Sequence, residues 1–174
     1  MKQLFYTGLM CILMSMGGCT SQNYISESGY QQAMNSQQFT FMARRANPTN
    51  YDVINVMNSI PYSNSGRMLQ LDYGYSVVLK KDEVEVTLPY FGRMYNPSYD
   101  QSKNSFRFTS KDFSVNRKDG RKGSQIFTII PRDQQHIRAI YLEVFKNGSA
   151  YTAIDATDRQ PITYDGYITG TSAK

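Results

Sequence analysis

Hydrophobic positions change their spacing near residue 39. Ahead of it, Tyr30, Ala33 and Met34 recur at intervals of three and four, with Ser26 placed to cap the start, which predicts a short helix. From there on the period is two: Phe39, Phe41 and Ala43 alternate with Thr40, Met42 and Arg44, the pattern of a half-buried strand. Further strands are predicted at Val53 to Asn58, around Met68 to Leu71, and at Tyr75 to Lys80, Val84 to Leu88, Ser105 to Thr109 and Phe113 to Asn116. Ser124 to Ile130, Ile137 to Lys146, Ala150 to Ala156 and Pro161 to Ile168 complete the series.

Turn chemistry separates these runs. Lys81-Asp82-Glu83, Lys118-Asp119-Gly120 and Pro131-Arg132-Asp133 each close a hairpin, and Asn147-Gly148 has the signature of a type I′ turn with positive φ. Short strands in close succession with no long helix between them predict an all-β, mainly antiparallel fold: a meander folded as a sandwich or as a curved, barrel-like sheet, with one short N-terminal helix. Alternation assigns Phe39, Phe41, Val78, Val84, Val86, Phe106, Phe108, Ile129, Leu142, Ile154 and Ile162 to the core. The run Ile137 to Phe145 is apolar on both faces, which leaves its inward register open and suits a central strand.

The N-terminus reads as an address. Lys2 is followed by an apolar run of about 13 residues from Leu4 to Met16, then Gly17, Gly18 and Cys19. That run is too short for a ~30 Å hydrocarbon core and fits a secretory signal peptide. Met16-Gly17-Gly18-Cys19 resembles the bacterial lipobox, in which small residues admit the lipoprotein peptidase and the cysteine sulfur receives a diacylglycerol. The expected organisation is a signal peptide over 1–18, a polar tether over 19–28 and one β-rich domain over 29–174. Lipidation falls on Cys19, which makes the bilayer a partner and the bacterial envelope the location: the outer membrane, facing the periplasm. Thr20-Ser21-Gln22-Asn23 lacks the acidic residues that in some bacteria often follow the cysteine of surface-exported lipoproteins.

Composition narrows the function classes. Of 174 residues 19% are charged and 13% aromatic, a folded rather than a disordered balance. Cleavage before Cys19 removes Lys2 and Cys11, so the net charge falls from +5 to +4 and no disulfide can form within the chain. A charge that modest on an exported protein argues against nucleic acid as a partner. One His, two Cys and no Trp leave little material for a metal site, and no metal or cofactor is expected. His136, the single histidine, falls in a polar turn. Asp82, Glu83, Glu85, Glu143 and Asp155 fit turns or the water-facing side of strands, so no catalytic residue is assigned. Arg117, Lys118, Arg121 and Lys122 read as a solvated hairpin tip that discourages edge pairing.

One segment departs from this pattern. Tyr90, Arg93, Tyr95, Asn96 and Tyr99 fall within ten residues beside Pro89, Gly92 and Pro97. Proline and glycine take the chain out of the sheet there, and tyrosine offers flat apolar faces with polar edges. These five are the candidate ligand-binding residues for a glycan, peptide or protein. The competing reading has Leu88, Tyr90 and Phe91 closing the end of the core.

Leu88 to Tyr95, with Phe39 to Ala46 and Arg159 to Ile168, resembles the domain of unknown function 4251 family of exported or lipid-anchored proteins from Bacteroides-group gut bacteria. The resemblance spans about residues 30 to 168 and implies one β-rich domain behind a lipoprotein signal, with no established activity to carry over. Met57 to Arg67 is longer than expected there. The functional expectation is a non-enzymatic envelope binding or scaffold module. The alternatives are an envelope glycan or peptide hydrolase acting through carboxylates, and a lipocalin-like carrier of an apolar ligand.

Overall fold

The computed structural model describes residues 22–61, 65–95 and 104–170. Cys19, Asn96 and Tyr99 therefore lie outside the described residues. The Ser26 side chain accepts the Gly29 N–H at 3.1 Å and starts helix α1 (Glu27–Ser36), which buries Tyr30, Ala33 and Met34 as the spacing predicts. Gln37 ends the helix in the left-handed region, and the Arg117 Nη1 donates at 2.6 Å to the carbonyl of Met34 in its last turn. Arg117, part of the expected solvated tip, stays exposed and also clasps the helix to the sheet.

Nine strands follow: β1 (Phe39–Pro48), β2 (Ser76–Leu79), β3 (Val84–Pro89), β4 (Ser105–Ser110), β5 (Phe113–Asp119), β6 (Gln125–Pro131), β7 (Ile137–Val144), β8 (Ser149–Ala156) and β9 (Ile162–Thr169). They form one sheet in the order β4-β3-β2-β1-β9-β8-β7-β6-β5, every neighbouring pair antiparallel. Alternating directions around that series leave the two edge strands, β4 and β5, running the same way. Only Lys111 and Asp112 separate them, so they act as one long strand bent in the middle, paired to β3 by its first half and to β6 by its second. The meander is a nearly closed barrel, and it resolves the sandwich-or-barrel alternative. Its core is one cluster in which Phe39, Phe41, Val86, Phe127, Ile140, Leu142, Ile162 and Tyr164 are fully buried.

Asp133, in the β6–β7 turn, holds the bend. Its carboxylate accepts the Ser110 hydroxyl at 2.5 Å and the Lys111 N–H at 3.0 Å, and these bonds, the hydroxyl first, hold its pKa below the ordinary carboxylate value. A depressed folded pKa stabilises the fold fully above the unfolded value near 3.9, and that stabilisation disappears as pH falls through the folded pKa. The bend is therefore expected to weaken below about pH 4. Chemical denaturation of the wild-type chain and of Asp133→Asn across that range should show the variant losing less stability on acidification. Parallel acid limbs would be the contrary result.

Several local expectations are corrected. Val53 to Asn58, read as a strand, lies within helix α2 (Tyr51–Ser59): the Asn50 side chain accepts the Asp52 N–H at 2.8 Å, and Met57 is buried with Val53 packed against the core. β-Branched content suggested a strand, but the cap and the four-residue spacing prevail. Met68 to Leu71 is the end of a short helix α3 (Ser65–Met68), then buried Leu69 and a bridge from Gln70 to Arg45. Val78 faces away from the core centre, because Phe39 pairs with Leu79 and Phe41 with Val77, so the inward residues are Val77 and Leu79. Phe108 is half-buried. In β7 a bulge between Ile137 and Ala139 sets the open register, placing Ile140, Leu142 and Val144 inside. At the β7–β8 turn only Gly148 has positive φ, +83°, and the Phe145 N–H donates to Ser149, so the hairpin closes with a glycine bulge rather than a type I′ turn.

Part of the expected tether also rests on the barrel. The Tyr24 N–H donates to the Asn147 carbonyl at 2.9 Å, and the Tyr24 ring stacks on Tyr167 with centroids 4.9 Å apart. Ile25 packs on Gly148, where an added Cβ would collide with it.

Candidate functional site

After Pro89 the chain leaves β3 and is drawn back across the barrel end by a network centred on Arg159. That guanidinium is nearly buried, lies 5.0 Å from the Tyr90 ring centroid and 4.8 Å from that of Phe106, and donates to both carboxylate oxygens of Asp158 at 2.8 and 3.0 Å. The Tyr90 and Phe106 rings meet edge to face at 5.6 Å. The Tyr90 hydroxyl lies within hydrogen-bonding reach of the carbonyls of Arg93, 2.9 Å, and Gln160, 3.1 Å. Gly92 is required by this arrangement, since a Cβ there would collide with the Tyr90 hydroxyl. Below it, Tyr164 is fully buried and donates at 2.6 Å to the Pro89 carbonyl.

Backbone bonds fix the loop further. The Tyr95 N–H donates to Asp158 at 2.8 Å, the Gln160 N–H to Arg93 at 3.1 Å, and Met94 bridges Arg159. Residues 93–95 thus run beside the β8–β9 connection as a short added ribbon. On its outer side Tyr90, Arg93, Met94, Tyr95 and Asn104 surround an open depression of about 640 Å³. Arg93 is exposed and Tyr95 is 57% exposed.

Burial raises the Tyr90 pKa, so its phenol stays neutral and acts as a hydrogen-bond donor. The hydrogen bond from Arg159 holds the Asp158 carboxyl below its ordinary value, which keeps the pair ionised. The arrangement presents one cation, one aromatic face and peptide edges, suited to holding a ligand by contact.

Three of the five sequence-predicted residues, Tyr90, Arg93 and Tyr95, come together here, but in different roles. Tyr90 is chiefly a packing anchor, as the competing reading of the aromatic segment has it, while Arg93 and Tyr95 stay exposed. Arg159, Asp158 and Asn104 were not expected as site residues, although Arg159 opens one of the motifs that carry the family resemblance. The remaining candidates are dispersed. His136 is exposed, Glu83 pairs with Lys80 at 2.8 Å, Glu143 accepts the Ser124 hydroxyl at 2.6 Å, and Asp155 lies 3.9 Å from Arg138. Among the described residues no group of three or more His, Cys, Asp or Glu is placed to hold a metal ion, and no helix is long and apolar enough to cross a membrane.

Fold and site together define a nearly closed antiparallel barrel with one end bridged by the aromatic segment 90–95. The chain belongs to the DUF4251 family, a domain of unknown function, whose profile matches residues 22–168. It is similar to the crystal structure of a DUF4251 family protein from Bacteroides eggerthii DSM 20697, with a TM-score of 0.49 and 13% sequence identity over 85% of this chain and 89% of that one. No curated protein matches the chain.

Proposed function

We propose that the protein is a non-enzymatic binding module of the bacterial envelope. It is anchored in the outer membrane through acylated Cys19, faces the periplasm, and presents Arg93 and Tyr95 to a glycan, peptide or protein partner. The observation that carries this reading is the clamped loop: an exposed tyrosine and arginine held by backbone bonds to the β8–β9 connection. A segment already held by backbone bonds loses little entropy when a partner binds, and tyrosine and arginine are the side chains that most often dominate such contacts.

The interior supports a binding surface over a carrier. Phe39, Phe41, Phe127 and Tyr164 fill the barrel with fully buried rings, where a lipocalin-like carrier needs a cavity. The carboxylates a hydrolase would use are spread over separate strands and turns, each on its own partner or exposed.

The test is a calorimetric titration of the purified protein against cell-wall fragments, envelope and dietary glycans, and envelope peptides. Tyr95→Ala and Arg93→Ala should each weaken a bound partner by about tenfold or more, and Tyr141→Ala, on the barrel wall, should leave it unchanged. A partner bound equally by all of these variants would remove the loop from the site.

A further inference from the structure

We propose that the cleft formed by Tyr24, Arg44, Asp72, Tyr73 and Tyr167 is a membrane-docking face seated among phospholipid headgroups, turning the Arg93–Tyr95 loop away from the bilayer. The proposal rests on the reading of Cys19 as the acylated residue, and it adds an orientation that a flexible tether would not impose.

The leash is short. Three residue steps separate Cys19 from Gln22, and an extended chain spans at most ~3.6 Å per residue, so the backbone of the acylated cysteine lies within about 11 Å of Gln22. The next residues are fixed: Tyr24 is bonded to Asn147 and stacked on Tyr167. Whatever surface surrounds Gln22 is held at the membrane.

That surface has interfacial chemistry. A cleft of about 540 Å³ opens there, lined by the three tyrosines together with Gln22, Arg44 and Asp72. Tyr73 is 94% exposed, beside Gly74, whose φ of +110° makes the turn that carries it. The bulge between Ala43 and Arg45 makes Arg44 the extra residue of β1, and its Nη1 reaches the Tyr24 hydroxyl at 3.4 Å. Tyrosine places its ring among acyl-chain ends and its hydroxyl in the headgroup layer. Arg44 and Asp72 offer the two charges that match the phosphate and ammonium of a zwitterionic headgroup.

The loop lies at the other end of the same ribbon. Tyr167 pairs with Met42 and Ile162 with Pro48, six residues farther along β1, or about 20 Å. Arg93 and Tyr95 are bonded to Gln160 and Asp158, just beyond Ile162. Seating the cleft on lipid therefore leaves the loop open to the periplasm.

The chain has no Trp, so one introduced tryptophan reports its own surroundings. The full-length protein is expressed as Tyr73→Trp or as Tyr95→Trp, purified in its mature form and reconstituted into vesicles of phosphatidylethanolamine with brominated phosphatidylcholine. The expected result is blue-shifted emission from Tyr73→Trp, quenched severalfold more strongly by the bromolipid than that of Tyr95→Trp. Mass spectrometry of the same samples reads the acyl chains and keeps the two ideas apart. A chain without lipid on Cys19 removes both the anchor and the docking face. An acylated chain in which Tyr73→Trp emits as in water, or is quenched no more than Tyr95→Trp, overturns the docking face alone.

Discussion

Gly166→Ala is expected to lower stability by about 3 kcal/mol or more, roughly 10 °C in Tm for a chain of this size. Gly166 pairs with Ala43 where β1 bulges, and a Cβ there would stand against the Met42 carbonyl oxygen and the edge of the Phe41 ring. The neighbour is backbone and cannot rotate aside. Nor can the strand retreat, since Met42 pairs with Ser76 on one side and Tyr167 on the other. The same change at Gly170, where a Cβ meets nothing within 4 Å, is the control and should be nearly neutral. Urea denaturation of the two variants decides the matter, and equal midpoints would mean that the β1–β9 seam is looser than described.

Arg159→Ala should destabilise by a similar amount, about 3 kcal/mol or more, and it should also loosen the candidate loop. The guanidinium packs over both the Tyr90 and the Phe106 ring and neutralises Asp158, whose side chain is only 17% exposed. Its removal leaves a largely buried carboxylate without its ionic partner and a gap beneath the Tyr90 ring. Asp158→Asn added to Arg159→Ala should recover part of the loss, because it discharges the orphaned group. Hydrogen exchange should show the Tyr95 amide, bonded to Asp158, becoming less protected than the β7 amides. Unchanged protection at Tyr95 would mean that the loop is held without Arg159.

Most strands were legible because period-two alternation records a local fact, one wet face and one dry. Phe39, Phe41, Val84, Val86, Ile129, Leu142, Ile154 and Ile162 are buried as alternation assigns them. Legibility failed where the pattern is degenerate. Val77, Val78 and Leu79 are three apolar residues in a row, so either register satisfies the sequence and only the pairing with Phe39 and Phe41 chooses. In α2, Val53, Ile54 and Val56 have β-forming side chains, and the Asn50 cap overrides them. Barrel closure was out of reach, because it depends on the bend held by Asp133 across a sequence gap of more than twenty residues.

The candidate site was half legible for the same reason. Pro89 and Gly92 mark a departure from the sheet, which is local information. That Tyr90 turns inward depends on Arg159 and Gln160, about seventy residues away, and no local pattern states it. The polar run ahead of α1 likewise gave no sign that Tyr24 would find Tyr167.

The proposed place of partner binding is the segment that carries Arg93 and Tyr95. Its most direct test is photo-crosslinking in living cells that express the full chain, with a photoreactive phenylalanine analogue at position 95 and, for comparison, at the exposed barrel-wall position 141. The expected result is a discrete adduct to an envelope component from position 95 and none from position 141. Adducts of equal yield from both positions, or none from position 95, would contradict it.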